Sequence, residues 1–180
     1  TYYNFSFNCM AMSEEEQRDF IFHTLGPKLN ASGYGKDKLK IMIGDDQRPY
    51  IKNWADAVLS HDEASKWVAG IAFHWYLNSY TSPDVLDQVH AKYPDYFLIS
   101  SEACEGSSPF QKNKVELGSW LRAESYAYDI IQVSRNQMMI LPTNASVGAA
   151  GLATLHERMD RLEPGPGPAR RVSKVNCYII

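Results

Sequence analysis

Glu102 is the residue with the most chemical consequence in this chain. It follows the run Tyr96-Phe97-Leu98-Ile99 through Ser100 and Ser101, a pattern that reads as a buried strand with a carboxylate at its end. An acid there is costly unless it has partners, and strand ends are where barrel enzymes keep their chemistry. Such a carboxylate serves as nucleophile in retaining glycosidases, where two carboxyls about 5–5.5 Å apart divide the displacement into two steps through a glycosyl-enzyme intermediate. The nucleophile must be ionised, which calls for hydrogen-bond donors around it. His74-Trp75-Tyr76 ends another apolar run: His74 and Tyr76 can donate, and Trp75 offers a flat face of the kind sugar rings stack on. Equally, these rings can simply close a barrel mouth.

Asp45, Asp46 and Arg48 form a third cluster. A solvated turn, or an ion pair of these acids with Arg48, is favoured over an acid/base role beside Glu102. Metal binding lacks a third ligand at supporting spacing, so no metal or cofactor is expected. Phe5, Phe7 and Cys9 precede the first helix, where they either line the site from a loop or anchor that helix. Cys9, Cys104 and Cys177 are odd in number and have no metal-type spacing, which favours buried free thiols.

The elements that must position these groups alternate. Ser13-Glu14-Glu15-Glu16 is a capping-box pattern that starts a helix over 14–25, which Gly26-Pro27 is expected to stop. Leu39 and Ile41 to Ile43 make a short strand ending at Gly44, with Asp45 to Arg48 just past its end. Trp54, Ala57, Val58 and Leu59 give a helical face, and 62–68 a second short helix. A strand from Gly70 finishes in His74-Trp75-Tyr76. Ser82-Pro83-Asp84 opens a helix with Val85, Leu86 and Val89 inside. After the strand before Glu102, a helix is expected from about Lys114, carrying Val115, Leu117, Trp120, Leu121, Tyr126, Tyr128, Ile130 and Ile131. Strand ends near Asp46, Tyr76 and Glu102 recur about every 30 residues, the length of a β/α unit. Near-continuous apolar strands in alternation imply parallel pairing. No glycine-rich turn follows a strand, which favours a barrel over a nucleotide-binding sheet.

From about Val133 the composition changes. Gly148 to Gly151 is rich in small residues and Pro164-Gly165-Pro166-Gly167-Pro168 in breakers, so 133–180 is expected to be a loosely ordered tail beside a folded unit over 1–132. Leu152 to Leu162 is compatible with a short amphipathic helix. The whole chain has 180 residues and a net charge of −3, enough for one core. Its Lys and Arg residues are scattered, which argues against nucleic acid or an electrostatic membrane partner. No apolar run reaches the length of a membrane span, and neither an initiator Met nor a signal-like segment opens the chain. That start suggests a mature product or a piece of something longer. Asn4, Asn30 and Asn144 stand in Asn-x-Ser sequons, glycan acceptors if the chain meets a secretory compartment.

Taken together, Glu14-Glu15-Glu16-Gln17-Arg18-Asp19-Phe20, Leu25-Gly26-Pro27, Asp45-Asp46-Gln47-Arg48, His74-Trp75-Tyr76-Leu77, Ser101-Glu102-Ala103-Cys104 and Leu117-Gly118-Ser119-Trp120 closely resemble glucosylceramidase, the acid β-glucosidase family within glycoside hydrolase family 30. The match runs in register over about 7–132. It implies a retaining hydrolase that removes glucose from glucosylceramide, in sphingolipid catabolism, in the lysosome. The implied fold is an α/β one, a (β/α)8 TIM barrel with an attached β-sandwich, of which this chain would hold strands five to seven with their helices. By the resemblance Glu102 stands at the nucleophile, His74 and Tyr76 among its hydrogen-bond partners beside Trp75, and Asp45 at a supporting acid. Phe7 falls in the aglycone-side loop, Cys104 within the nucleophile motif, and Asn30 at a family sequon. A saposin-type activator and an anionic lipid surface are the implied partners.

Departures from the family pattern carry equal weight. The acid/base Glu of an Asn-Glu-Pro motif at the end of strand four is absent, as are the first four strands, the eighth and the sandwich. Leu121 replaces an acid that often follows Trp120. These departures point to a fragment or altered transcript product, inactive alone, because the acid/base supplies roughly 10²–10⁴-fold. Two other readings stand beside it: a non-catalytic product that binds glycolipid or a partner through open strand edges, and part of a barrel glycosidase with another sugar specificity.

Overall fold

The computed structural model describes residues 11–107, 110, 112–134 and the backbone of 139–140. Phe5, Phe7, Cys9 and Cys177, the sequons at Asn4 and Asn144, and the expected tail and amphipathic segment beyond 140 lie outside the described residues.

The first helix forms as its capping box requires. Ser13 Oγ accepts from the Glu16 N–H at 3.1 Å, and Glu16 Oε2 accepts from the Ser13 N–H at 2.7 Å. The expected stop at Gly26-Pro27 is not a stop. Helix α1 (Glu14–Phe20) passes through a π turn (Ile21–Leu25) into α2 (Gly26–Ala31). The Gly26 N–H reaches back five residues to the Ile21 carbonyl, so the wide π turn lies just ahead of Pro27, which has no N–H to continue the ladder. Gly26 is there for packing: a Cβ at this position would meet the Trp67 indole at 2.3 Å. Asn30 is exposed in the last turn of α2.

Four parallel strands follow, β1 (Ile41–Gln47), β2 (Val68–His74), β3 (Phe97–Glu102) and β4 (Met139–Ile140), hydrogen-bonded in the order β1-β2-β3-β4. Strands laid down consecutively wind in one direction, as in an arc of a barrel, whereas a doubly wound sheet reverses at a switch point. Helices α3 (Ile51–Leu59), α4 (Asp62–Ser65), α5 (Asp84–Lys92) and α6 (Trp120–Ser134) make the connections. The core lies between the sheet and its helices: Ile43, Ile71, Phe73 and Leu98 meet Ile51, Ala55, Val58 and Leu59 of α3 and Leu86 and Val89 of α5. Burying a side chain of this size contributes about 1.5–3 kcal/mol, so this layer fixes which face of each strand looks inward.

Several boundaries differ from the sequence reading. Val68 opens β2 rather than closing a helix, because its fully buried side chain belongs to the sheet core. Ala55 and Ile51, rather than Ala57, complete the inner face of α3. Strand β1 does not end at Gly44 but carries Asp45 and Asp46 within it. Helix α6 starts at Trp120, since Gly118 takes a left-handed φ of +77° just before it; Val115 and Leu117 lie outside the helix and are exposed. Its buried residues are Asp129 and Val133, while Leu121, Tyr128 and Ile131 face solvent. The change of composition near Val133 therefore falls inside α6, and β4 lies beyond it.

Candidate active site

Two register shifts create the site. Along β2 and β3 the pairs Gly70–Phe97, Ile71–Leu98, Ala72–Ile99 and Phe73–Ser100 run without a break, and the next pair is His74–Glu102. Ser101 is the extra residue. Side chains alternate along a strand, so in an unbroken register Glu102 would point away from His74; one inserted residue turns it to the same face. Strand β1 does the same on the other side. Gly44 pairs with Ala72 and Asp46 with Phe73, which leaves Asp45 as the extra residue at φ +53°, a conformation Asp tolerates better than most residues.

Both bulged strands converge on His74. Its Nδ1 is 3.2 Å from Glu102 Oε2 and its Nε2 is 3.0 Å from Asp45 Oδ1. Burial works against the imidazolium, but the hydrogen bond to Asp45 and the charges of Glu102, Asp45 and Asp46 outweigh it and raise the His74 pKa above 6.5. Partial burial likewise opposes ionisation of Asp45, yet hydrogen bonds from His74 and Ser101 and the imidazolium charge hold its pKa below 3.8. Ser101 Oγ donates to Asp45 Oδ1 at 2.6 Å. Asp46 faces the helix side instead, accepting from Trp54 Nε1 at 3.3 Å.

The loop after β2 is gripped from two directions. Gln47 Oε1 accepts from the Leu77 N–H at 3.2 Å, and Arg48 Nη2 donates to the Asn78 and Thr81 carbonyls at 2.9 and 3.0 Å. Asn78 Nδ2 donates to Asp129 Oδ1 of α6 at 2.6 Å. Trp75 stacks on Tyr126 of the same helix with centroids 4.9 Å apart and planes 13° from parallel. The Tyr126 hydroxyl accepts from the Glu105 N–H at 2.8 Å, which ties the loop after β3 to the loop after β2. Tyr76 meets the His74 ring edge-on at 6.1 Å.

The structure thus gathers Glu102, His74 and Asp45 into one hydrogen-bonded group, with Trp75 and Tyr76 beside it. Cys104 is half-buried, and its Sγ donates to the Glu105 carbonyl at 3.7 Å. Phe7 lies outside the described residues. The ion pair expected between Arg48 and Asp45 or Asp46 does not form: Arg48 is buried and its acidic neighbour is Asp129. Sequence reasoning gave no role to Gln47, Ser101, Asn78, Tyr126 or Asp129. Their partners lie one strand or one loop away, so sequence spacing carries no signal of them. Among the described residues no group of three or more His, Cys, Asp or Glu is placed to hold a metal ion, and no helix is long and apolar enough to cross a membrane.

Comparison with known proteins gives the arrangement a context. The model of the glycosyl hydrolase family 30 TIM-barrel domain matches residues 2–150. Lysosomal acid glucosylceramidase of Mus musculus is 42% identical over 129 residues, which cover 71% of this chain and 24% of that protein. A Caenorhabditis elegans protein that carries a glucosylceramidase name is 47% identical over 116 residues, covering 64% of this chain and 22% of its own length. The crystal structure of SrfJ from Salmonella typhimurium superposes with a TM-score of 0.59 at 26% identity, over 72% of this chain and 27% of that one. The chain spans about a quarter of the length of the curated relatives it matches.

Proposed function

The chain belongs to glycosyl hydrolase family 30, and on that premise we propose that Glu102 is the nucleophile of a retaining β-glucosidase that cleaves glucosylceramide to glucose and ceramide. The observation that carries this reading is the bulge at Ser101, which turns Glu102 to the face of His74 and sets Oε2 3.2 Å from a ring nitrogen. In this reading β1, β2 and β3 are strands five to seven of the family barrel. Glu102 attacks the anomeric carbon, the bond to the ceramide oxygen breaks, and the glycosyl ester is later hydrolysed by water. Trp75, stacked on Tyr126 with one face, offers the other to the sugar. A lysosomal site of action and dependence on a saposin-type activator and a lipid surface come with the family resemblance.

The departing oxygen needs a proton from a second carboxyl. Asp45 is unsuited to give it: a general acid must stay protonated at working pH, and the bonds from His74 and Ser101 hold Asp45 in the ionised form. The family's Asn-Glu-Pro acid/base motif does not occur in this sequence. Hydrolysis of an alkyl glucoside by the 180-residue chain is therefore expected to be negligible, lower by the roughly 10²–10⁴-fold that the acid supplies.

A 2-deoxy-2-fluoroglucoside with a dinitrophenolate leaving group separates the two roles, because that leaving group departs without protonation. The chain should acquire a fluoroglucosyl ester on Glu102, located by peptide mass mapping, and Glu102→Gln should not. An adduct elsewhere, or none, overturns the assignment; Glu102-dependent turnover of an alkyl glucoside overturns the expected need for an outside acid.

A further inference from the structure

Gln47 stands beside His74 with its orientation already decided. A backbone N–H can only donate, so the Leu77 N–H at 3.2 Å identifies the Gln47 atom facing it as oxygen. The carboxamide NH2 is thereby aimed at His74, with Nε2 3.5 Å from Nδ1. That same Nδ1 lies 3.2 Å from Glu102 Oε2. A ring nitrogen carries either a hydrogen or a lone pair. With the hydrogen it bonds to Glu102 and opposes the Gln47 NH2; with the lone pair it accepts from Gln47 and has nothing to give Glu102.

We propose that Gln47 is a positioning residue that exchanges with Glu102 for Nδ1 of His74, so that the charged imidazole holds Glu102 and the neutral imidazole releases it. Asp45 decides which hydrogen the ring keeps. Its carboxylate, fixed by Ser101, lies 3.0 Å from Nε2, so the neutral ring retains the Nε2 hydrogen and presents its Nδ1 lone pair to Gln47. The carboxylates in contact with the ring are Asp45 from β1 and Glu102 from β3; Asp46, turned to the helix side of β1, acts on it through its charge alone, and the phenol-bearing ring of Tyr76 approaches edge-on from the loop after β2. All three acids favour the imidazolium and Gln47 favours the neutral ring, which makes it the counterweight in the cluster. The contact is long, as suits a donor facing a nitrogen that is protonated for part of the time. The consequence for catalysis rests on the proposed role of Glu102, whereas the exchange itself does not.

Long-range proton–nitrogen correlation of the imidazole rings in the full 180-residue chain, across a pH series, tests this without any turnover, with His74→Gln assigning the signal. The expected wild-type neutral ring has a pyridine-like Nδ1 and a hydrogen on Nε2. Gln47→Met keeps the length and removes the donor; the His74 midpoint should then rise by roughly half a pH unit, about threefold in the protonation equilibrium, and the neutral ring should become a mixture of tautomers. A wild-type neutral ring protonated on Nδ1 overturns the proposal and needs no variant to fold. So does a folded Gln47→Met chain with unchanged midpoint and tautomer. Failure of the fluoroglucoside to label Glu102, with the tautomer as expected, removes the nucleophile reading and leaves the exchange standing.

Discussion

Ser101 and Asp45, the two residues that fall out of register in the strands flanking β2, are hydrogen-bonded to each other across that strand at 2.6 Å. Each bulge alone re-aims one carboxylate; the bond between them locks both at the level of His74. Asp45 is about half-exposed, so solvent screening brings the bond's worth down to that of an ordinary hydrogen bond, about 1 kcal/mol. Ser101→Ala should lower the unfolding free energy measured in urea by that amount and slow fluoroglucoside labelling of Glu102, while Ser101→Thr keeps the hydroxyl and should restore both. Equal midpoints for Ala and Ser would mean that the bulges are held by backbone alone.

The His74 cluster gives stability a defined pH window. The His74 pKa is raised, so its contribution is whole below the unfolded value near 6.5 and is lost as pH rises through the folded value. Asp45 is lowered, so its contribution is whole above 3.8 and is lost as pH falls through its folded value. The stability difference between wild type and His74→Gln should thus be largest between 3.8 and 6.5 and shrink on both sides. Urea denaturation of both proteins over pH 3–9 checks this, and a difference that is flat with pH would remove the coupling.

Gly44 opens the β1 bulge at φ +82°, and a Cβ there would lie 3.0 Å from the Ala72 carbonyl oxygen. Both the conformation and the contact oppose a side chain. Gly44→Ala should cost about 1–3 kcal/mol and shift the His74 imidazole signals, because Asp45 follows directly. A thermal midpoint within a degree of wild type would contradict this account. Asp45→Asn, by contrast, tolerates the left-handed position and should alter the pH window more than the fold.

Much of the scaffold was legible, since it follows from local pattern. The apolar runs ending at Ile43, Phe73 and Ile99 became β1, β2 and β3, and the Ser13 capping box starts α1 where expected. What failed depends on contacts distant in sequence. Gly26-Pro27 carries a local stop signal, but the Trp67 indole covers Gly26 and the helix continues. Nearness in sequence pairs Arg48 with Asp45 and Asp46, yet its guanidinium donates to the Asn78 and Thr81 carbonyls of the loop after β2. The candidate site was legible as a grouping: strand ends bring Glu102 and His74 together, and the family resemblance adds Asp45. The two bulges that aim these side chains at one another were not legible, because register belongs to a pair of strands rather than to either one.

Arg48 and Asp129 are both buried, on β1's end and on α6, and they carry the remaining prediction. Burial raises the Asp129 pKa above 3.8, against the opposing effects of the Arg48 charge and the Asn78 bond. An acid with a raised folded value binds its proton more tightly in the native chain than in the unfolded one, so stability falls as pH rises through that range. Asp129→Asn removes the titration, and its stability relative to wild type should therefore grow with rising pH. Arg48→Met acts in the opposite sense. It strips the Asn78 and Thr81 carbonyls of their donor and leaves Asp129 without its counter-charge, at a cost of about 3 kcal/mol or more. With the opposing charge gone, the Asp129 value climbs further and the pH-dependent loss extends to higher pH. Urea midpoints for the three proteins at pH 4 to 8 distinguish these slopes; parallel curves for wild type and Asp129→Asn would show that Asp129 titrates as it does in the unfolded chain.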